Sequence, residues 1–116
     1  MIDSLVNAEK RYDELAQLLA SPEVTSDYEE MIRLARERSE LQELVETYHR
    51  YRATEAELDD ARALLAEDGQ DPEMAEMIQD EVARLETQLE KLEQALRLML
   101  LPTDPNDSKN VIVEIR

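Results

Sequence analysis

Few side chains in this sequence could carry chemistry, and histidine is the scarcest of them. His49 is the single histidine, and the chain has no cysteine. A zinc site needs several nitrogen or sulfur ligands, and a catalytic histidine needs a positioned partner. We therefore predict that His49 is an ordinary surface or rim residue that takes no part in a metal site.

Two tyrosines lie close to His49 along the chain, at positions 48 and 51. The three side chains could form a docking patch. We favour the alternative, in which Tyr48 and Tyr51 pack their rings in a helical seam with the hydroxyls at its edge. Tyrosine suits that position because it combines a large apolar ring with a polar tip.

Paired carboxylates can act as an acid and a base, and adjacent acids occur at Glu29/Glu30 and at Asp59/Asp60. Neighbours on a helix point about 100° apart, so each pair is predicted to be a solvated face and not a shared site. Residues 104–110, DPNDSKN, superficially resemble a calcium loop but lack the glycine and the closing glutamate of an EF-hand. These residue types favour turns, so a turn is predicted there.

The methionine and glycine residues predict no further cofactor-binding or phosphate-binding site. Met74, Met77 and Met99 fall at helical positions and are predicted to fill the core rather than to bind a cofactor. Gly69 is the single glycine, which excludes a glycine-rich phosphate loop. The sequence thus predicts no catalytic residue, no cofactor, no metal ligand and no small-molecule substrate.

The net charge of the chain limits the classes of partner that it can bind. Twenty-nine acidic and 13 basic residues give a formal net charge of −16. Nucleic acids are also strongly negative, so direct nucleic-acid binding is disfavoured and a basic protein surface is the more natural partner. The charged N-terminus and a longest apolar run of residues 98–101 predict no secretory signal and no membrane partner. The absence of cysteine fits the cytoplasm.

Long helices must position these residues. The 116 residues are rich in Ala, Glu, Leu and Arg, which is typical of coiled coils, and they suffice for one domain. A first helix is predicted over residues 4–20, and Pro22 ends it because proline disfavours helical geometry in the residue before it. Its apolar stripe recurs at steps of three and four and comprises Leu5, Ala8, Tyr12, Leu15 and Leu19.

A second helix is predicted to begin at Ser26 and Glu29, which have the S-x-x-E spacing of a capping box. No breaker follows until Gly69, which implies about 40 residues, or roughly 60 Å. Arg38 and Glu55 interrupt its stripe, and a break within residues 52–57, RATEAE, is an alternative. The stripe comprises Tyr28, Met31, Leu34, Ala35, Leu41, Leu44, Tyr48, Tyr51, Leu58, Ala61 and Leu65.

A third helix follows Gly69, which can close the preceding helix in left-handed geometry. Asp71 is predicted as its N-cap and Pro72 as its first residue. Its stripe spans about three heptads and comprises Ile78, Val82, Leu85, Leu89, Leu92, Leu96 and Met99. We therefore predict an all-α fold, an elongated antiparallel three-helix coiled-coil-like bundle with one long central helix. Residues 111–116 change to strand spacing, and a short unfinished β-strand is predicted there.

The last 46 residues carry a resemblance to a known family. The segments DPEM at 71–74, LLPTDPND at 100–107 and NVIVEIR at 110–116 resemble the N-terminal part of bacterial class-one peptide chain release factors, in particular the type that reads UAA and UAG. The resemblance implies translation termination on the ribosome. It also implies that residues 1–101 are an N-terminal helical domain and that residues 102–116 are a linker turn and the first strand of a following, absent domain. The chain would then be a domain fragment.

In that family a Gly-Gly-Gln loop promotes hydrolysis of peptidyl-tRNA, and a separate tripeptide helps to read the codon. This chain has one glycine, and Leu101-Pro102-Thr103 has the wrong order for the tripeptide. The resemblance therefore implies that the fragment is not itself an enzyme. It implies instead a docking and positioning role beside the stalk-base proteins of the large ribosomal subunit.

Two other functions are open alternatives. The heptads of residues 78–99 would suit a free-standing acidic coiled-coil adaptor or chaperone-like protein, which should self-associate through that seam. An independent hydrolase is disfavoured, because covalent catalysis needs a paired nucleophile and base that the sequence does not supply.

Overall fold

The computed structural model describes residues 1–67, 69 and 71–101, and these residues form four helices. The all-α prediction is confirmed for this part of the chain. The turn and the strand predicted within residues 102–116 lie outside the described residues. In chain order the helices are α1 Ile2–Leu19, α2 Pro22–Thr25, α3 Tyr28–Leu65 and α4 Pro72–Met99.

The long helix α3 is the element on which the others pack. Its 38 residues span about 57 Å at 1.5 Å per residue. It runs without interruption through residues 52–57, so the alternative of a break there is wrong. This continuity gives α1 and α4 one rigid surface to share.

The start of α3 differs from the predicted capping box. Asp27 is the N-cap, and its carboxylate accepts a hydrogen bond from the Glu30 backbone N–H at 3.2 Å. The Ser26 hydroxyl instead donates to the Glu23 carbonyl at 3.1 Å. The reason is the short helix α2, which begins at Pro22 and places Ser26 at its C-terminal end. Asp27 is then the residue with the extended backbone that an N-cap requires.

The helices α1 and α4 lie against different stretches of α3. Contacts from Arg11 to Glu37 place α1 on the N-terminal half of α3, and contacts from Arg62 to Glu86 place α4 on its C-terminal half. Among the described residues, no Cα atom of α1 comes within 8 Å of one of α4. The described helices therefore form two antiparallel hairpins that share α3, and the predicted side-by-side bundle of three helices is not confirmed.

This arrangement makes the molecule elongated, as predicted. The radius of gyration is 20.8 Å, whereas a compact chain of similar length has about 13 Å.

The core is widest at the middle of α3, where the N-terminus of α1 meets the C-terminus of α4. Four buried residues form its centre, namely Leu5, Tyr48, Tyr51 and Leu96. Partly buried residues surround them, namely Met1, Val6, Leu44, Leu89, Leu92 and Leu100. The interpretation of Tyr48 and Tyr51 as seam residues is confirmed, and the alternative of an exposed tyrosine patch is wrong.

Between α3 and α4 the sequence prediction agrees at Gly69, Asp71 and Pro72, but α3 ends before Gly69, with Ala66 as its C-cap. Gly69 has φ of +79°, the left-handed geometry that other residues rarely adopt. Asp71 occupies the N-cap of α4 with extended backbone, and Pro72 is the first helical residue. The turn sends α4 back along α3.

Candidate functional site

The residues singled out for chemistry are dispersed over the described part of the molecule. His49 is exposed, as predicted, and its Nε2 atom lies 2.6 Å from Glu9 Oε2 across the α1–α3 interface. Among the described residues, no group of three or more histidine, aspartate or glutamate side chains could hold a metal ion. The His49–Glu9 pair is therefore a surface contact between α1 and α3.

A second polar cluster joins α1 to α3. The Arg11 guanidinium donates to both carboxylate oxygens of Glu37, at 2.6 and 2.9 Å, and also contacts Glu14. The hydrogen bonds from Arg11 hold the pKa of Glu37 below its ordinary value of 4.5, and Glu37 with Glu14 raises the pKa of Arg11. Because both side chains are partly exposed, solvent screens the pair, and we expect it to contribute little to the free energy of unfolding.

Arg38 interrupts the apolar stripe of α3, and the structure gives the reason. Its guanidinium carbon lies 4.0 Å from the centre of the Tyr12 ring, in a cation–π contact between α3 and α1. The long aliphatic stem of arginine can cover apolar surface while its charge stacks on the ring. Arg38 is therefore part of the α1–α3 interface and not an interruption of it.

The two buried tyrosines differ in their polar surroundings. The Tyr48 hydroxyl accepts a hydrogen bond from Arg52 at 3.0 Å, and this bond raises the pKa of Arg52. Burial, followed by the nearby Glu55 charge, raises the pKa of Tyr51 above its ordinary value of 10.0. A phenol that is harder to ionise is a poor nucleophile, so the Tyr51 hydroxyl is not set up for catalysis.

The adjacent carboxylates do not share a site either. Glu30 contacts Arg33 and its backbone N–H is capped by Asp27, whereas Glu29 is exposed. Asp59 and Asp60 are also exposed. The prediction of solvated faces is confirmed for both pairs.

One of the grooves among the described residues lies at the end of the α3–α4 hairpin, near Gly69. We call it the tip groove. It has a volume of about 220 Å³ and is lined by Ala61, Leu64, Met74, Met77, Ile78 and Glu81. Leu64, Met74 and Met77 are 45%, 49% and 67% exposed.

The prediction that Met74 and Met77 fill the core is wrong. Ile78 takes the buried position against α3, and Met77, one residue earlier, points about 100° away from it. Met74 lies in the first turn of α4, beside the open end of the hairpin. Met99 is partly buried and agrees with the prediction. The offset of Met77 from the stripe was the signal in the sequence that could have revealed this surface.

The chain around the tip groove is strongly acidic. Between residues 57 and 81 the sequence has ten aspartate or glutamate residues and one basic residue, Arg62. Arg62 is directed to Glu86, which lies outside this segment, at 2.6 Å. An apolar groove in a negative field can bind a partner, but it holds no group arranged to transfer a proton or attack a bond.

The model of the PCRF domain matches residues 8–116. The chain belongs to the PCRF domain family. The resemblance read from residues 71–116 is thereby confirmed, and the matched range contains most of α1 and all of α2, α3 and α4.

Several curated relatives of this PCRF domain are named Peptide chain release factor 1. The chain is 45% identical to Peptide chain release factor 1 of Bacillus licheniformis, 46% to that of Geobacillus sp. (strain WCH70) and 42% to that of Bacillus subtilis (strain 168). Each alignment covers 100% of this chain and 32% of the relative, so the chain spans about a third of their length. No solved structure matched.

None of the described helices of this PCRF domain combines the length and the apolar character that crossing a bilayer requires.

Proposed function

We propose that this PCRF domain acts in translation termination, as the docking and positioning part of a class-one peptide chain release factor that reads UAA and UAG. The observation that carries the proposal is the family match over residues 8–116 together with 42–46% identity to Peptide chain release factor 1 over the whole chain. Peptidyl-tRNA hydrolysis and codon reading are assigned to other parts of the whole factor. The domain itself is then not an enzyme.

The proposed partner is the ribosome, through a basic protein surface near the stalk base of the large subunit. The net charge of −16 supports a protein partner, because it opposes approach to ribosomal RNA and favours a basic protein face. The same reasoning assigns the domain no direct nucleic-acid contact. A partner on the ribosome places the domain in the cytoplasm.

The proposal extends to the organisation of the chain. Residues 1–101 are assigned to the helical domain, and residues 102–116 to a linker turn and the first strand of a following domain. The change of pattern after Leu101, from helical to strand spacing, supports this division.

A chimeric factor tests the docking role. The matching third of Bacillus licheniformis Peptide chain release factor 1 would be replaced by this chain, and its affinity for ribosomes with UAA in the decoding site would be measured. Exposed acids would then be changed to lysine in separate blocks, for example Glu40, Glu43 and Glu46 on α3. At least one block is expected to weaken binding about tenfold or more. Unchanged affinity for every block would exclude a docking role for the acidic surface.

Self-association is the alternative to a docking role. It would use the apolar stripe of α4, but three residues of that stripe, Ile78, Leu85 and Leu96, are already buried within the chain. We therefore expect a monomer by light scattering at high micromolar concentration, whereas a dimer would favour the adaptor function.

A further inference from the structure

We propose that the tip groove is a binding site for a basic amphipathic segment of a partner protein. The segment would insert an aliphatic side chain between Leu64, Met74 and Met77 and set its lysine or arginine residues against the surrounding carboxylates. This goes beyond the proposed function, because it assigns a particular surface and the chemistry of its ligand.

The apolar part of the argument rests on the exposure of Met74 and Met77, which lie outside the central core cluster. The core at the middle of α3 is built from other residues, and Ile78 alone of the six that line the tip groove is buried. Exposed apolar surface rimmed by polar residues marks interaction sites. Methionine suits such a site, because its unbranched, polarizable side chain adapts to the partner that it meets.

The charge argument rests on carboxylates within one helical turn of the groove. On α3, Glu57 lies four residues before Ala61 and therefore on the same helix face. Asp60 is related to Leu64 in the same way. On α4, Glu73, Asp80 and Glu81 lie within four residues of Met77. All five carboxylate residues are exposed.

These carboxylates are largely not neutralised by the chain itself. Within the described ranges, Glu81 pairs with Arg84, and no salt bridge reaches the other four. The resulting negative field selects a cationic ligand. It disfavours a second copy of this chain, which carries −16, and it equally disfavours nucleic acid and anionic lipid.

A second exposed apolar surface supplies the comparison. A groove of about 320 Å³ near the end of α4 is lined by Gln94, Arg97, Leu98 and Leu101. Leu98 is 68% exposed, almost the same as Met77 on the same helix. This surface contains an arginine and has no carboxylate in its lining, so it should not bind a cationic ligand.

The test uses the full chain and a synthetic helical peptide of about 18 lysine and leucine residues with one apolar face. Calorimetry would measure its affinity, and amide shifts of the isotope-labelled chain would locate the site. We expect one-to-one binding that weakens with salt, with shifts centred on α3 and α4 beside the tip groove. A peptide of the same composition with the leucines scrambled around the helix should bind at least about tenfold more weakly.

Variants separate the apolar and charge contributions. The double change Met74→Gln and Met77→Gln, and the double change Glu73→Gln and Asp80→Asn, should each weaken binding about tenfold. The matched change Leu98→Gln should leave the affinity unchanged. All of these positions are exposed, and thermal unfolding followed by circular dichroism checks that each variant is folded.

Three results would overturn the proposal. The first is a dissociation constant weaker than about 1 mM at low salt, and the second is equal affinity for the scrambled peptide. The third is that the amide shifts centre on Leu98, or that Leu98→Gln weakens binding and the methionine changes do not. These results do not depend on the chimeric factor, because the peptide is titrated into the chain alone. The tip groove can therefore fail as a binding site while the proposed function stands. The proposed function can likewise fail while the tip groove still binds the peptide.

Discussion

Replacing Leu96 with alanine should strongly destabilise the fold. Leu96 has no exposed surface and belongs to the central cluster with Leu5, Tyr48 and Tyr51. Removing a fully buried leucine side chain costs about 2–5 kcal/mol, as lost transfer free energy and as a cavity. The matched change Leu98→Ala, two residues later on α4 but 68% exposed, should cost within about 0.5 kcal/mol of zero.

The same variant tests whether α1 and α4 meet in one core. Leu5 on α1 and Leu96 on α4 share the cluster, so the cost of the double change to alanine should differ from the sum of the single costs by about 0.5–3 kcal/mol.

Leu15 of α1 and Leu85 of α4 are a control for this coupling, because both are buried and lie near opposite ends of α3. Leu15 lies beyond the Arg11–Glu37 contact and Leu85 lies beside the Glu86–Arg62 contact. Positions 37 and 62 are about 37 Å apart along the helix. The costs of changing Leu15 and Leu85 should therefore add within about 0.5 kcal/mol.

Urea unfolding followed by circular dichroism would give these free energies. If the double alanine variant is unfolded in buffer, the corresponding valine variants preserve the comparison with smaller costs. The shared core would be refuted if Leu96→Ala cost no more than Leu98→Ala. It would also be refuted if the costs of changing Leu5 and Leu96 to alanine added as closely as the costs of changing Leu15 and Leu85.

Three further predictions concern the helix ends and one buried tyrosine. Asp27→Ala should lower the free energy of unfolding in urea by about 1 kcal/mol. Ser26→Ala should lower it much less, because Asp27 makes the N-cap of α3. The opposite order would mean that Ser26 caps the helix, as the capping box predicts. Gly69→Ala should cost about 1–2 kcal/mol from left-handed backbone alone, because nothing lies within 4 Å of the added Cβ; an unchanged midpoint would contradict this. Burial raises the Tyr51 pKa, so the stability it contributes is fully present below about pH 10.0 and is lost as the pH rises through the folded pKa. Tyr51→Phe should remove that part of the alkaline decline, and an identical decline would count against it.

Local features of this fold were predictable from the sequence because they depend on neighbouring residues. Gly69 and Pro72 mark the turn between α3 and α4, and the stripe that contains Ile78, Leu85 and Leu96 marks the buried face of α4. The exclusion of a tyrosine docking patch also followed from local pattern, since Tyr48 and Tyr51 fall on the stripe of α3.

The other features depend on contacts between distant residues. Stripe spacing does not say which stretch of α3 each partner helix covers, so the two end-to-end hairpins were not predicted. Arg38 looked like an interruption until Tyr12 was placed beneath it. The tip groove was missed because Met77 was read by residue type, although it lies one position away from the buried Ile78.

The most direct test of the central claim is the rate of peptide release by the chimeric factor that carries this chain. Ribosomes halted at UAA, UAG or UGA would be compared, with the unmodified Bacillus licheniformis factor and a version lacking the segment as controls. We expect release at UAA and UAG within about threefold of the unmodified factor, with little release at UGA. A rate at UAA no faster than that of the version lacking the segment would contradict the assignment to translation termination.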